Sequence, residues 1–259
     1  MASWSTKRKF QYFSALLTIV ILLIIVPLVY FFYTPPTCSD NKQNGNELGV
    51  DCGGSCIKLC QNSFLPPKIS WGGAKFEKIA DGVYNVAAYI ENPNINGAAL
   101  NVPYKISLYD ENGMLIVEAN DKVDLYPHRN SLAFKSGIRV DKRIPVKATF
   151  EFTKSPEWFK SQDNLEGLIV TDKRYNEDKI SSSLEIYFEN KTLYPYNNIQ
   201  VSVILSNAEG NAIGFSRTII DEILPKSGKG IAPFTWPISR NNQVKTIEVL
   251  PMIAPTFDR

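Results

Sequence analysis

A chain of 259 residues with 44% hydrophobic and 21% charged residues has the composition of a folded protein, which excludes general disorder. The formal net charge is +2, and the cluster Lys7, Arg8 and Lys9 more than accounts for it: without those three, 25 basic residues face 26 acidic ones. So neutral a remainder excludes a general polyanion-binding surface, and nucleic acid is not an expected partner.

The first element is hydrophobic. Residues 10–33, FQYFSALLTIVILLIIVPLVYFFY, carry no charge. A run of about 20 apolar residues crosses the hydrocarbon core of a bilayer as a helix. Aromatic residues flank it: Phe10, Tyr12 and Phe13 on one side, Tyr30, Phe31, Phe32 and Tyr33 on the other. Pro27 is tolerated in such a helix, and Pro35 and Pro36 end it. The basic cluster Lys7–Lys9 precedes the run. By the positive-inside rule it keeps residues 1–9 in the cytoplasm and sends the C-terminal bulk outside. A cleaved signal peptide fits less well, because its apolar region is shorter and ends at small residues, which VYFFYTPPT lacks.

Residues 34–63 hold all four cysteines, Cys38, Cys52, Cys56 and Cys60, spaced C-x13-C-x3-C-x3-C. Zinc sites use closer pairs completed by further cysteines or histidines, and the one histidine, His128, is remote. Redox C-x-x-C is absent. An even cysteine count in a short extracytoplasmic segment without a core of its own predicts two disulfides, with three pairings open. Between the cysteines, Asp40, Asn44, Glu47 and Asp51 offer hard oxygen ligands and are candidate calcium ligands. Asp40–Asp51 has the length of an EF-hand loop with Gly45 at its sixth position. Lys42 at the third position and Leu48 at the ninth break that pattern. The competing reading is that these residues cap turns.

This segment resembles a short cysteine motif of membrane-anchored, bacterial-type surface proteins, C-x-D-G-x-x-N-G-x-E-x-x-x-D-C-G-G-x-C. Cys38, Asp40, Asn44, Gly45, Glu47, Asp51, Cys52, Gly53, Gly54 and Cys56 match, and Asn41 stands where glycine is usual. The resemblance implies a place beside a membrane anchor and carries no activity with it.

From residue 64 onward, short β-prone runs alternate with turn signals and no long helical period occurs. VPYKISLYDENGMLIVEAN reads as two strands joined at Asp110–Gly113. The pattern then recurs. YIENPN is followed by YFENKT, so that Glu91-Asn92 matches Glu189-Asn190, an offset of 98 residues. Gly113 matches Gly210 at 97, and the proline of DLYP matches that of EILP at 98. A constant offset predicts two copies of one domain, residues 64–160 and 161–259. The fold class is an all-β ectodomain of two tandem immunoglobulin-like β-sandwiches of about seven strands each. It follows one transmembrane helix and a small disulfide-rich segment. YNVAAYIENPNINGAALNVPYKISLYDENGMLI also resembles the FxLYD and late-embryogenesis-abundant families. That likeness implies a sandwich with a binding or structural role. The second copy departs from it, with ILSNAEG in place of SLYDENG.

No catalytic set stands out: there is no nucleophile elbow, no zinc-protease motif and no phosphate loop before a helix. Trp71, Trp158 and Trp236 read as packing residues rather than sugar platforms. Asn190-Lys-Thr is a glycosylation sequon only if a eukaryotic secretory pathway makes the protein. The expectation is a single-pass, membrane-anchored, non-catalytic protein with a binding, adhesive or scaffolding role and protein partners at the cell envelope. The alternatives are a subunit of a larger envelope complex and a carbohydrate- or solute-binding module.

Overall fold

The N-terminal apolar run can satisfy its backbone only as a helix if no water is present, and a helix is what it forms. In the computed structural model, which describes residues 4–32, 36–161 and 165–254 (backbone alone at 4–7 and 31–32), helix α1 spans Trp4–Phe32. It starts before the apolar run, so Lys7, Arg8 and Lys9 are helical. Tyr33 and Pro35 lie outside the described residues. The stretch Arg8–Tyr30 is long and apolar enough to cross a membrane, at about 1.5 Å per residue. Its described side chains are exposed throughout. The hydroxyls of Ser14 and Thr18 donate to the carbonyls of Gln11 and Ser14, both at 2.9 Å, so these polar groups are satisfied within the helix. Pro27 sits inside it without ending it.

The chain divides into two units, Met1–Gly54 and Ser55–Arg259. The second is all β. Its first half contains β1 (Lys68–Ala80), β2 (Val83–Glu91), β3 (Gly97–Tyr109), β4 (Leu115–Leu125), β5 (Asn130–Arg139) and β6 (Lys147–Phe152). A two-residue β7 (Phe159–Lys160) follows. The strands form sheets in the orders β1-β2-β5 and β4-β3-β6, with β7 on the start of β3. The second half contains β8 (Leu168–Glu177), β9 (Ser182–Asn190), β10 (Tyr196–Ser206), β11 (Ala212–Ile223), β12 (Gly228–Trp236) and β13 (Thr246–Met252). Its sheets run β8-β9-β12 and β11-β10-β13. The second half therefore repeats the strand order of the first. Each sandwich has six principal strands, three facing three, rather than about seven.

Each sandwich closes over its own apolar core. Val86, Ile90, Tyr104, Ile106, Leu108, Leu125 and Trp158 fill the first. Leu184, Ile186, Phe188, Val201, Val203, Phe234 and Trp236 fill the second. Alternation places these side chains inward. On the outer sheet of the first sandwich the opposite face is charged, with Lys105 bridging Glu118 at 3.1 Å and Glu151 at 2.7 Å.

The Glu-Asn repeat has a structural cause. Asn92 and Asn190 are both buried just where β2 and β9 turn into their loops. Asn92 Nδ2 donates to the carbonyls of Gly97 (2.8 Å) and Tyr126 (2.7 Å), while its Oδ1 accepts from the Asn94 N–H at 3.1 Å. Asn190 Nδ2 donates to the carbonyls of Tyr194 (2.8 Å) and Ile223 (3.1 Å), while its Oδ1 accepts from the Thr192 N–H at 2.9 Å. One side chain thus satisfies buried backbone groups from two loops in each sandwich. The hairpins agree as well. Gly113 N–H donates to Asp110 and Gly210 N–H to Asn207, and both glycines have positive φ.

The chain reaches the first sandwich through Ile57–Leu65. Leu59 N–H donates to the Trp158 carbonyl at 2.8 Å and Lys160 N–H to the Ile57 carbonyl at 2.7 Å. Phe64 stacks on Trp158 with ring centroids 5.7 Å apart.

Candidate functional site

The cysteine-rich segment was the sharpest chemical candidate. All four cysteines are in disulfides, so none supplies a thiolate for metal or redox chemistry. Asp40, Asn44, Glu47 and Asp51 come together, and the hydrogen bonds show to what end. Asp51 Oδ1 accepts from the Asp40 N–H at 2.9 Å, and its Oδ2 from the Asn41 N–H at 3.0 Å. Asp40 accepts from the Lys42 N–H (2.9 Å) and from Asn44 Nδ2 (2.8 Å). The Asn44 bond, with the backbone bonds, holds the Asp40 carboxyl below its usual range. Glu47 Oε2 accepts from the Asn44 N–H at 3.1 Å. These carboxylates accept from backbone N–H groups and from Asn44 Nδ2, as turn-capping groups do, while Asn44 Oδ1 is buried with no hydrogen-bond partner among the described residues. A calcium ion would compete for the same lone pairs. The glycines serve the same end: a Cβ on Gly54 would lie 1.7 Å from the Asn46 carbonyl oxygen.

The more informative site lies between the sandwiches. Sheet β1-β2-β5 uses both faces. One covers its own core, and the other carries Ala87, Leu132 and Phe134, which pack on Ile204 and Phe215 of sheet β11-β10-β13. Trp71 packs here and stacks on Tyr89 at 5.3 Å. Tyr89 donates across the junction to Glu248 at 2.6 Å. Arg217 Nη2 donates to the Phe134 carbonyl at 2.6 Å, and the guanidinium lies over the Phe134 ring. At the centre Glu77 on β1 pairs with Arg240, beyond β12, with side chains only 6% and 7% exposed. Glu77 also accepts from Asn85 Nδ2 at 3.3 Å. Burial raises the Glu77 carboxyl above its ordinary range, outweighing the pull of Arg240. Arg240 is held in turn by its N–H to Glu177 and by Trp236, whose ring its guanidinium approaches to 5.9 Å.

Beside this junction runs a groove of about 360 Å³ lined by Asp121, Phe134, Lys135, Ser136, Gln200, Arg217, Thr218 and Ile219. Its polar groups bond one another. Lys135 pairs with Asp121 at 3.0 Å, and Arg217 Nη1 donates to Gln200 at 3.3 Å. The aromatic in its lining, Phe134, is covered by the Arg217 guanidinium at 5.4 Å; among the described residues Trp158 and Trp236 are core and Trp71 is in the junction.

The remaining expectations divide. His128 is exposed, with φ +49°, and its N–H donates to the Asn94 carbonyl at 2.7 Å, a turn residue remote from any acid–base set. Asn190 is 0% exposed, and its Nδ2 already serves two carbonyls. A glycan on that nitrogen is incompatible with this fold. Glu77, Arg240 and Arg217 were not singled out by sequence, since no motif surrounds them. The available signal was β2 and β10, whose runs VAAYI and VSVIL are apolar on both faces.

No protein-family model matches the sequence, and no curated protein matches it. Among solved structures, red sea bream transglutaminase is similar over 73% of this chain and 31% of its own, at 11% identity and a TM-score of 0.21. A β-glucuronidase of glycoside hydrolase family 2 is similar over 85% of this chain and 29% of its own, at 11% identity and a TM-score of 0.21. The chain spans about a third of each. Likeness this slight carries no argument about activity.

Proposed function

We propose that the chain is a single-pass membrane protein with a short cytoplasmic N-terminus, and that its two sandwiches form one extracytoplasmic, non-catalytic unit that binds or scaffolds protein partners at the envelope. One observation carries this reading. An uninterrupted, exposed apolar helix preceded by basic residues is followed by cysteines that are all oxidised. The repeated strand order, the paired Asn92 and Asn190 and the matched hairpins support descent of the two sandwiches from one duplicated domain, as the FxLYD-like resemblance implies. A binding role is favoured over catalysis because the groove's polar groups, Lys135 with Asp121 and Arg217 with Gln200 and the Phe134 carbonyl, bond one another instead of converging on a substrate position. The groove makes a solute-binding module the second reading. The Phe134 ring is already covered by Arg217, which counts against stacking by a carbohydrate ligand.

Two measurements test this. Protein in native membranes should resist alkaline carbonate extraction, with the β-unit cut by protease added on the extracytoplasmic side only. Release by carbonate, or protection of the β-unit, defeats the anchor reading. Capture from detergent-solubilised native membranes should recover stoichiometric protein partners; recovery of the chain alone removes the scaffold reading.

A further inference from the structure

One end of the β-unit gathers three features that no role yet absorbs. The chain arrives there from the cysteine-rich segment, through residues 57–65, and Leu65 exchanges two 2.9 Å hydrogen bonds with Asn94 in the β2–β3 loop. The second sandwich presents the equivalent end on the same side. Ser161 N–H donates to the Asn96 carbonyl, and Leu165 accepts from the Leu168 N–H. Only three residues of chain therefore separate Ser161 from Leu165, a reach of at most about 14 Å. At this end of the second sandwich the β9–β10 and β11–β12 loops are tied by Lys226 N–H to the Thr192 carbonyl (2.9 Å) and Ser227 N–H to the Asn190 carbonyl (2.7 Å). The loops expose Leu193 (70%), Tyr194 (76%) and Leu224 (60%).

Lysines surround that apolar tip. Lys191 pairs with Glu189, Lys229 lies across from the same carboxylate on β9, and Lys226 is exposed in the β11–β12 loop. Large exposed aliphatics, a tyrosine and exposed lysines on one surface form an interfacial pattern: rings and aliphatics enter the headgroup region while ammonium groups meet anionic lipid. The opposite end of the first sandwich also exposes apolar residues, Met114 and Ile144 among them. The chain does not arrive there from the membrane helix.

We propose that Leu193, Tyr194 and Leu224, with Lys226 and Lys229, dock this end of the β-unit onto the surface of an anionic bilayer. The inference rests on the membrane-anchored reading above and adds a second, reversible contact with lipid. The two can be separated by experiment. All four native cysteines are in disulfides, so Leu193→Cys introduces a single thiol for an environment-sensitive fluorophore, and Met114→Cys does the same at the far end. The full chain is reconstituted in phosphatidylcholine vesicles with and without phosphatidylserine. The label at 193 should shift to the blue and be quenched several-fold more by lipid-borne quenchers when phosphatidylserine is present. Lys226→Glu with Lys229→Glu should abolish the difference, and the label at 114 should not respond. A label at 193 that behaves like the one at 114 overturns the proposal. So does a shift in detergent without vesicles that grows with protein concentration, because the tip then meets a second copy of the chain. If carbonate strips the protein from the vesicles, anchoring fails on its own. The label at 193, read with the same protein added to preformed vesicles, then still decides the docking.

Discussion

Within each sandwich the core is built mostly of apolar side chains supplied by strands close in sequence: Leu184, Ile186 and Phe188 on β9 face Val201, Val203 and Leu205 on β10. At the junction between the sandwiches, Ala87, Leu132, Phe134, Ile204 and Phe215 make a smaller apolar patch. There they share the space with the Glu77–Arg240 pair, the Tyr89–Glu248 bond and Arg217 on the Phe134 carbonyl. Apolar contact is non-directional, so a patch of this size between two flat sheets would tolerate sliding. A buried pair does not, because a small displacement leaves two desolvated charges unmatched. The cores provide stability, and the junction fixes one relative placement of the sandwiches.

The largest test removes one charge. Arg240→Ala strands Glu77 and should cost about 3–5 kcal/mol, read as a fall in the denaturation midpoint. Replacing both partners with Glu77→Leu and Arg240→Met should restore most of that loss while loosening the relation of the sandwiches. Two-state melting of the single variant with wild-type stability would remove the ion pair from the account. Next in size are the paired asparagines. Asn92→Ala removes the Asn donor from the Gly97 and Tyr126 carbonyls and Asn190→Ala removes it from the Ile223 carbonyl, at about 1–3 kcal/mol for each variant. Near-equal losses are expected because the bonding is the same, and a loss confined to one sandwich would break the equivalence.

Much of the architecture could be read from residues alone, and the reason is physical. Alternation exposes a strand's two faces to inspection, and a buried Asn that serves two loops recurs at its 98-residue offset because each sandwich needs it. The oxidised state of Cys38, Cys52, Cys56 and Cys60 followed from their company, but Asp40 and Asp51 were ambiguous, since the same oxygens suit a cation or a turn. The junction was hidden. Glu77 in AKFEKIA reads as the solvent-side member of an alternating strand, and its partner lies 163 residues away. Only the doubly apolar β2 and β10 hinted that a face outside the first core was also covered.

A third test uses pH. Ionising Glu77 is harder in the folded protein than in the unfolded chain, so its contribution to stability is fully present below the unfolded value of 4.5 and is lost as pH rises through the raised folded one. Glu177 behaves oppositely. Burial pushes it up, but bonds from Ser239, Arg240, Asn242 and Tyr175 outweigh this and lower it, so its contribution is present above its unfolded value and is lost as pH falls through the folded one. Wild type should therefore lose stability relative to Glu77→Gln as pH rises above 4.5. Equal pH profiles for the two proteins would mean that Glu77 does not titrate at the junction.

The smallest effect belongs to the exposed counterpart of the buried pair. Lys105 bridges Glu118 and Glu151 across three strands of the outer sheet, where all three side chains are partly open to solvent. Water already solvates these charges and salt screens them, so Lys105→Met should lower the denaturation midpoint only slightly, by less as ionic strength rises. Arg240→Ala should be nearly insensitive to salt, because its partner lies beyond the reach of mobile ions. Titrating both variants with sodium chloride compares the two regions directly. A salt response of equal size in both would mean that water reaches Glu77, and that the junction opens in solution.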